Sequence, residues 1–516
     1  MISVRPLLVP SLVLALVACA SKPVEPYVRP APEYALPAET DSAFADIEAN
    51  ISNAHGSESS GFKLLDRNED GLRWRLALID SARHSIDVQY YLWYGDASGR
   101  LLMKRVLDAA DRGVKVRMLV DDLNTVISDA TTVVVRDDVA GWLDAHPNLE
   151  LRVFNPWRDR AFAGRVGESV AEMGRVNHRM HNKSLIVDNQ AAILGGRNLG
   201  DEYLGLNADF NFHDLDLLGI GPVARQASAV FDLFWNSEWV MPASALDLQP
   251  APADGDAART RLTRSVTGLP ALQMFPAAPQ SWLAELAALP GQLHIGTSSV
   301  STDRPDAGAL RQEMIGKVTE LMRSAQSELL IINAYIIPDE RSIEMLRELQ
   351  GRGVKVRVIT NSLASHDVPA VNSHYKKWRG PMIDAGVELH EVRHDAAMRS
   401  QVADTAPTRA KFMGLHSKGM VIDRERVWIG SMNFDPRSAE INTEMGVVID
   451  SRALAEEFAG LIERDARPAN SWRVAVDEDG RLTWSNDVET VTRQPARSFR
   501  QRVEDVVFMA FPKELY

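Results

Sequence analysis

Arg179-Met-His181-Asn-Lys183-Ser-Leu-Ile-Val187-Asp188, followed after six residues by Gly195-Gly-Arg-Asn198, decides how this chain is read. The same pattern returns as His416-Ser-Lys418, Asp423 and Gly430-Ser-Met-Asn433, again with six residues between Asp and Gly. A lone His-x-Lys carries little information, whereas two complete copies with matched spacing point to an internal duplication with chemistry in each copy. Apolar runs flank the acidic turn in both: 183–187 and 191–194 around Asp188-Asn189, 420–422 and 427–429 around Asp423. This predicts a hairpin. It would hold His and Lys two residues apart on one side of a strand and return the Asn beside them.

The repeat extends well beyond the motif. Arg-Gly-Val-Lys-Val-Arg occurs at 112–117 and again at 352–357. Ahead of the first copy lie a strand through Ile86, Val88 and Tyr90 and a helix over 99–112. Ahead of the second lie a strand through Leu329, Ile331 and Ala334 and a helix over 342–352. Strands alternating with amphipathic helices imply right-handed βαβ units in a largely parallel sheet with helices on both faces. The expected fold class is therefore α/β, two such halves packed as a pseudo-dimer with the active site between them. The halves are expected at 46–247, with the motif at 175–202, and at 303–475, with the motif at 410–437. Residues 248–302, rich in Pro, Ala and Gly, would connect them.

Composition bounds the surroundings. The 516 residues are 45% hydrophobic and 25% charged, enough for large cores and two or more domains. A formal charge of -13 argues against a protein that grips long stretches of nucleic acid. The single cysteine, Cys19, follows a short basic start at Arg5, an apolar run from Leu7 to Ala18 and the small residues of Leu16-Val17-Ala18. This resembles a bacterial lipoprotein signal over 1–18, with Cys19 as the lipidated residue. Ala20 stands where an inner-membrane retention signal would place Asp. The expected location is thus the cell envelope, anchored in the outer membrane and facing the periplasm. Residues 19–45, studded with prolines, read as an extended tether.

A phosphodiester is a poor, negatively charged electrophile. Its site must neutralise the non-bridging oxygens, supply a nucleophile and protonate the leaving oxygen. Lys183 and Lys418 can neutralise, and Asn198 and Asn433 can donate hydrogen bonds to the same oxygens. Two histidines remain for two jobs. One attacks phosphorus, while the other donates a proton to the leaving alcohol and later removes one from the incoming alcohol. No metal or other cofactor enters this scheme. Asp188 and Asp423 are expected chiefly to fix the hairpin turn. Glu444 and Asp214 follow their motifs in comparable strand contexts and are candidates to orient a histidine, with Asp216 an alternative to Asp214.

The doubled pattern resembles the phospholipase D superfamily. Within it, Asp87-Val-Gln-Tyr-Tyr91, Asp121-Asp-Leu-Asn124, Phe154-Asn-Pro156, Thr360-Asn-Ser-Leu-Ala364, Asn433-Phe-Asp-Pro-Arg-Ser438 and Asn442-Thr-Glu-Met-Gly446 are similar to the cardiolipin synthases. The resemblance runs from about Phe62 to the C-terminal region. It implies paired α/β sheets and a covalent histidine intermediate, with His181 as nucleophile and His416 as general acid/base. It also implies a site set of Lys183, Asp188, Asn198, Lys418, Asp423 and Asn433. The implied reaction makes cardiolipin from phosphatidylglycerol and a second phosphatidylglycerol or phosphatidylethanolamine, with a protein partner left open. The lipoprotein-like start departs from that branch. Competing readings are a phospholipase D that hydrolyses to phosphatidic acid, an exported nuclease, and a non-catalytic envelope lipoprotein.

Three further segments carry expectations. Trp472-Arg-Val-Ala-Val476 and Arg481-Leu-Thr-Trp484 predict a hairpin, so that 476–516 holds its end and an amphipathic helix over 498–511. The apolar face of that helix, with Phe499, Val503, Val506, Val507 and Ala510, is expected to pack on the body, with a membrane surface as the other role. Trp157-Arg-Asp-Arg160-Ala-Phe-Ala-Gly-Arg165 is either an ordinary loop or a receiver of anionic head groups. Trp235 and Trp239 are expected in the core.

Overall fold

The computed structural model describes residues 28–122, 142–160, 162–246 and 255–510. The expected lipoprotein signal over 1–18, Cys19 and the start of the expected tether lie outside the described residues. In the N-terminal half the strands are β1 (Ser60–Leu65), β2 (Ser85–Tyr90), β3 (Lys115–Asp121), β4 (Leu149–Phe154), β5 (Ser184–Val187), β6 (Ala191–Gly195), β7 (Phe210–His213), β8 (Asp216–Ile220) and β9 (Val240–Pro242). The C-terminal half opens with β10 (His294–Thr302) and a small hairpin of β11 (Arg304–Asp306) and β12 (Ala309–Arg311). Its central strands are β13 (Glu328–Asn333), β14 (Lys355–Asn361) and β15 (Val387–Val392). Then follow β16 (Phe412–Leu415), β17 (Lys418–Ile422), β18 (Arg426–Gly430), β19 (Met445–Asp450), β20 (Ser471–Val476), β21 (Leu482–Ser485) and β22 (Thr490–Val491).

The duplication is visible strand for strand. β1-β8-β6-β5-β2-β3-β4-β9 in one half matches β10-β19-β18-β17-β13-β14-β15-β20 in the other. Within each of these sheets only the three central strands run parallel and the other neighbours pair antiparallel, while β7 and β16 pair parallel with each other across the halves. The expectation of largely parallel sheets is corrected here. The motif hairpins have connections too short for a crossover, so they can only add antiparallel strands.

The halves meet along β1 and β10, which pair antiparallel through Ser60–Phe62 and His294–Gly296. Helix Pro222–Trp235 packs on β5, β6 and β8 of its own half and on β10 of the other, while helix Arg452–Asp465 packs on β17, β18 and β1. One core cluster therefore draws on both halves, with Phe154, Ile186, Phe231 and Trp235 beside Leu330, Val392, Val421 and Phe458. Trp235 is fully buried and Trp239 packs against the same cluster.

Three boundaries move. The tether is already docked by Glu33, whose carboxylate pairs with Lys115 and whose amide donates to Asn236 Oδ1 at 2.9 Å. Residues 248–302 are more than a connection, because 294–302 form β10, an integral strand of the second sheet. The boundary at 476 falls at the end of β20, which pairs with both β15 and β21, so the predicted hairpin belongs to the C-terminal half.

Candidate active site

The turn of each motif hairpin is built alike. Asp188 and Asn189 have φ of 51° and 53°, and Asp423 and Arg424 both have φ of 54°. With Gln190 N donating to Val187 O and Glu425 N to Ile422 O, both are turns whose two central residues are left-handed, the type that matches strand twist. The motif acids serve this end of the hairpin. Asp188 accepts from the amides of Arg83, His84 and Ser85 and from the Ser42 hydroxyl. Asp423 accepts from the amides of Gln326, Ser327 and Glu328 and from the Ser327 hydroxyl. Both tie the turn to the start of a neighbouring strand, at the far end from the histidines. Their place in the catalytic set is thereby corrected: a short acid beside a turn has amides within reach and the site out of reach.

At the other end the two halves exchange partners. His181 N donates to Thr443 O at 2.9 Å, and His181 Nδ1 lies 2.9 Å from both carboxylate oxygens of Glu444. His416 N donates to His213 O at 2.8 Å, and His416 Nδ1 lies 2.6 Å from Asp214 Oδ2. Each histidine is thus held, backbone and ring, by two consecutive residues of the opposite half. This decides between Asp214 and Asp216. Asp216 instead binds Arg75 at 2.9 Å and Arg197 at 2.7 Å, and Arg197 in turn donates to Asp214 O at 2.8 Å. The arginine inside the first Gly-Gly-Arg-Asn therefore fixes the backbone that carries the second histidine's carboxylate.

The two motifs share one site. A Cβ on Gly196 of the first would meet Lys418 Cδ of the second at 3.0 Å and Asp214 Oδ1 at 3.1 Å, so a larger residue there would crowd that approach. Lys183 and Lys418 each donate to the carbonyl of their own motif histidine and lie 5.3 Å and 5.7 Å from the ring centres of Tyr91 and Tyr335. Tyr91 also sets its edge against His181, and Tyr203 against His416, at 4.9 Å and 5.1 Å. Asn198 Oδ1 accepts from Leu92 N at 3.3 Å, while Asn433 Oδ1 is buried without a hydrogen-bond partner.

Burial sets the protonation states. Desolvation depresses His181 to about 4, against the attraction of Glu444 and helped by the Lys183 charge. At neutral pH the ring is neutral. A neutral ring that gives its Nδ1 proton to Glu444 leaves the Nε2 lone pair outward as a nucleophile. His416 is lowered by burial and Lys418. Lys183 is driven well down by burial and by Lys418, and Lys418 falls to about 8. Asp214 is held near 2 chiefly by His416 against the cost of burial, and Glu444 is lowered by His181. Two crowded, desolvated cations beside two histidines form a site that gains from an arriving anion, which restores the charge on the lysines.

Sequence reasoning missed several members. Ser431 donates its hydroxyl to Glu444, and Asp303 accepts from Glu444 N at 2.8 Å. Tyr335 donates to Asp367 Oδ2 at 2.6 Å and stacks on His366 at 5.3 Å between centroids. Tyr91 and Tyr335 follow matching strands, β2 and β13, and this repeat was the available signal; Asp303 and Asp367 sit outside any repeated pattern. The described residues of the Trp157–Arg165 segment, which from Phe162 on is helical rather than a loop, do not form an open basic receiver. Arg158 pairs with Glu172, Arg160 pairs with Asp122, and Trp157 is buried under Arg179.

Comparison with known proteins agrees with this geometry. The family described as cardiolipin synthase, PLD-like domain, matches residues 76–235 and 318–466, one block in each half. Cardiolipin synthase C of Escherichia coli K12 is 34% identical over 456 residues, 85% of this chain and 92% of that protein. Cardiolipin synthase A of Pseudomonas entomophila is 26% identical over 461 residues, 88% of this chain and 78% of that one. The crystal structure of phosphatidylserine synthase from Haemophilus influenzae aligns with a TM-score of 0.54 over 82% of this chain and 90% of its own, at 14% identity, a likeness of fold. With both halves matched by one family and a relative aligned over nearly its whole length, the chain belongs to the phospholipase D superfamily, among the cardiolipin synthase-like proteins.

Proposed function

We propose that this protein is a phosphatidyltransferase that makes cardiolipin through a phosphatidyl-histidine intermediate. The observation that carries the proposal is the pair of histidines, each held at Nδ1 by a carboxylate of the opposite half, around two buried lysines. The names of the cardiolipin synthase relatives support the substrate class. His181 Nε2 attacks the phosphorus of a donor, phosphatidylglycerol or phosphatidylethanolamine. As the N–P bond forms, the bond to the head-group oxygen breaks and His416 gives that oxygen its proton. His416 then takes the proton from a primary hydroxyl of a second phosphatidylglycerol, whose oxygen attacks phosphorus and releases His181. The products are cardiolipin and either glycerol or ethanolamine. Lys183, Lys418, Asn198 and Asn433 hold the non-bridging oxygens, whose charge grows in each transition state.

The site is also proposed to work from the periplasmic face of the outer membrane, anchored by acylated Cys19. Incorporation of labelled palmitate, lost in Cys19→Ser, tests the anchor. The reaction is tested by lipid mass spectrometry of the full chain with phosphatidylglycerol vesicles, with and without phosphatidylethanolamine, beside His181→Ala. Cardiolipin formed only with intact His181 supports the synthase, and the released alcohol names the donor. Phosphatidic acid without cardiolipin would make water the acceptor and overturn it.

A further inference from the structure

Eight of the fifteen large apolar side chains left exposed among the described residues lie in two short segments. Val166 and Val170 belong to helix Phe162–Ala171, and Met173 opens the short helix Met173–Val176 that follows it. Phe499, Val503, Val506, Val507 and Met509 belong to helix Phe499–Val507 and the turn after it. Both helices are built inside out. A surface helix of a soluble protein turns its apolar stripe to the core; here the polar face is the buried one.

In the C-terminal helix Gln501 and Asp505 point inward. Asp505 accepts from Asn372 at 2.6 Å and Gln494 at 3.0 Å and pairs with Lys376 at 2.7 Å. Phe499, at 78% exposure, faces out with the three valines. The expectation that this face packs on the body is corrected, because the buried acid has committed the opposite face to Lys376. In the N-terminal helix Arg165 and Glu168 are buried, and Glu168 accepts from Arg158 N at 2.9 Å and pairs with Arg175. Val170, at 73% exposure, faces out.

Each helix is fastened to a segment that leads to a catalytic histidine. Trp157, which donates to Ser169 of the first helix at 2.9 Å, lies under Arg179, two residues before His181. Arg497, two residues ahead of the second helix, sits 3.9 Å from the centre of the Phe412 ring on β16, the strand that runs into His416. Residues 493–502 hold four arginines and no acid, of which Arg500 pairs with Glu504 at 2.6 Å.

We propose that these two apolar stripes dock on a phospholipid bilayer carrying anionic head groups and set the cleft against its surface. The proposal rests on the phosphatidyltransferase reading for its choice of partner, since a site fed with phospholipid needs a route from the bilayer. Short amphipathic helices bind in the interface plane by apolar burial, to which the arginines ahead of the second helix add attraction to anionic lipid. Among the described residues no helix is long and apolar enough to cross a membrane, so these stripes would give the body surface contact without insertion.

The full chain carrying Cys19→Ser removes the acylation residue as a competing anchor. Its partition onto vesicles of equal phosphatidylglycerol and phosphatidylcholine is measured by flotation, beside V503E/V507E and V166E/V170E in the same background. Turnover of a monodisperse short-chain phosphatidylglycerol is measured in parallel, and light scattering reports oligomeric state. The expected result is at least a tenfold fall in vesicle partition for each double variant, with short-chain turnover within twofold of the parent. Partition within twofold of the parent in both variants overturns the proposal. So does conversion of a dimer to a monomer without change in vesicle partition, which would make a second copy the occupant. If the parent turns over no phospholipid in any form while the variants still lose vesicle binding, the docking surface stands and the transferase reading falls.

Discussion

The two half-sites are copies in backbone and differ in what surrounds the histidine. Glu444 meets His181 through both oxygens at 2.9 Å and is itself fixed by Ser431 and by Asp303. Asp214 meets His416 through one oxygen at 2.6 Å, in a setting of Tyr203, Phe212 and Tyr335 with the His366–Asp367 pair beyond. The first arrangement holds one ring rigidly with its lone pair outward, as a nucleophile needs. The second is shorter, with Asp214 ionised and another acid near enough to feel the ring, as suits a group that must gain and lose a proton. In the proposed mechanism, duplication supplied two equal sites and different neighbours divide the labour between them.

Removing either histidine is the strongest way to break that division. His181→Ala should lower transfer by at least about 10⁴-fold with any donor, because no covalent intermediate forms. His416→Ala should cost a similar factor with phosphatidylglycerol, yet about 10²-fold less with a nitrophenyl phosphatidyl ester, whose leaving group needs no proton. Stopped-flow release of nitrophenol separates the two. Equal losses with the activated donor would erase the distinction.

Exchanging the cross-half carboxylates should have a smaller effect. Glu444→Gln and Asp214→Asn each keep the shape and lose the charge that orients and stabilises the ring. Each is expected to lower kcat by about 10²-fold with little change in KM, measured by steady-state lipid assay.

The pH profile sharpens the comparison further. The nucleophile must be deprotonated, and His181 near 4 stays so down to that pH. The acid must be protonated, and His416 in the free enzyme lies below the ordinary 6.5, so kcat/KM for a natural donor should fall as pH rises through that lowered value. With the nitrophenyl donor the fall should wait until Lys418 loses its charge near pH 8. Each limb should approach tenfold per pH unit, and coincident profiles for the two donors would contradict the assignment.

The smallest effects are expected at the turns. Asp188→Ala leaves three amides and a buried hydroxyl without their acceptor and should cost about 2–3 kcal/mol of stability. Asp423→Ala, at a more open turn, should cost about 1 kcal/mol. Turnover per folded molecule should be unchanged in both, as read by denaturant titration beside activity. A loss of turnover without loss of stability would return these acids to the site.

What could be read from sequence was local. The His, Lys and Asn positions, the motif hairpins and the Trp472–Trp484 hairpin follow from spacing and alternation within one stretch of chain. The choice of Asp214 over Asp216 does not, because it depends on how β7 of one half pairs with β16 of the other and so sets Asp214 beside the second histidine. Glu33 reads as part of a proline-rich tether until Lys115 and Arg117 are folded beside it. Periodicity showed that Phe499–Val507 has an apolar face. Only the buried Asp505–Lys376 pair shows which way that face turns.

The central claim is a phosphatidyl group carried on a histidine of the first half. Full-length protein mixed with phosphatidylglycerol, quenched in alkali within milliseconds and digested, can be mapped by mass spectrometry. The adduct is predicted on the peptide containing His181, absent in His181→Ala and longer-lived in His416→Ala. An adduct on the His416 peptide, or undiminished turnover with none on either, would contradict it.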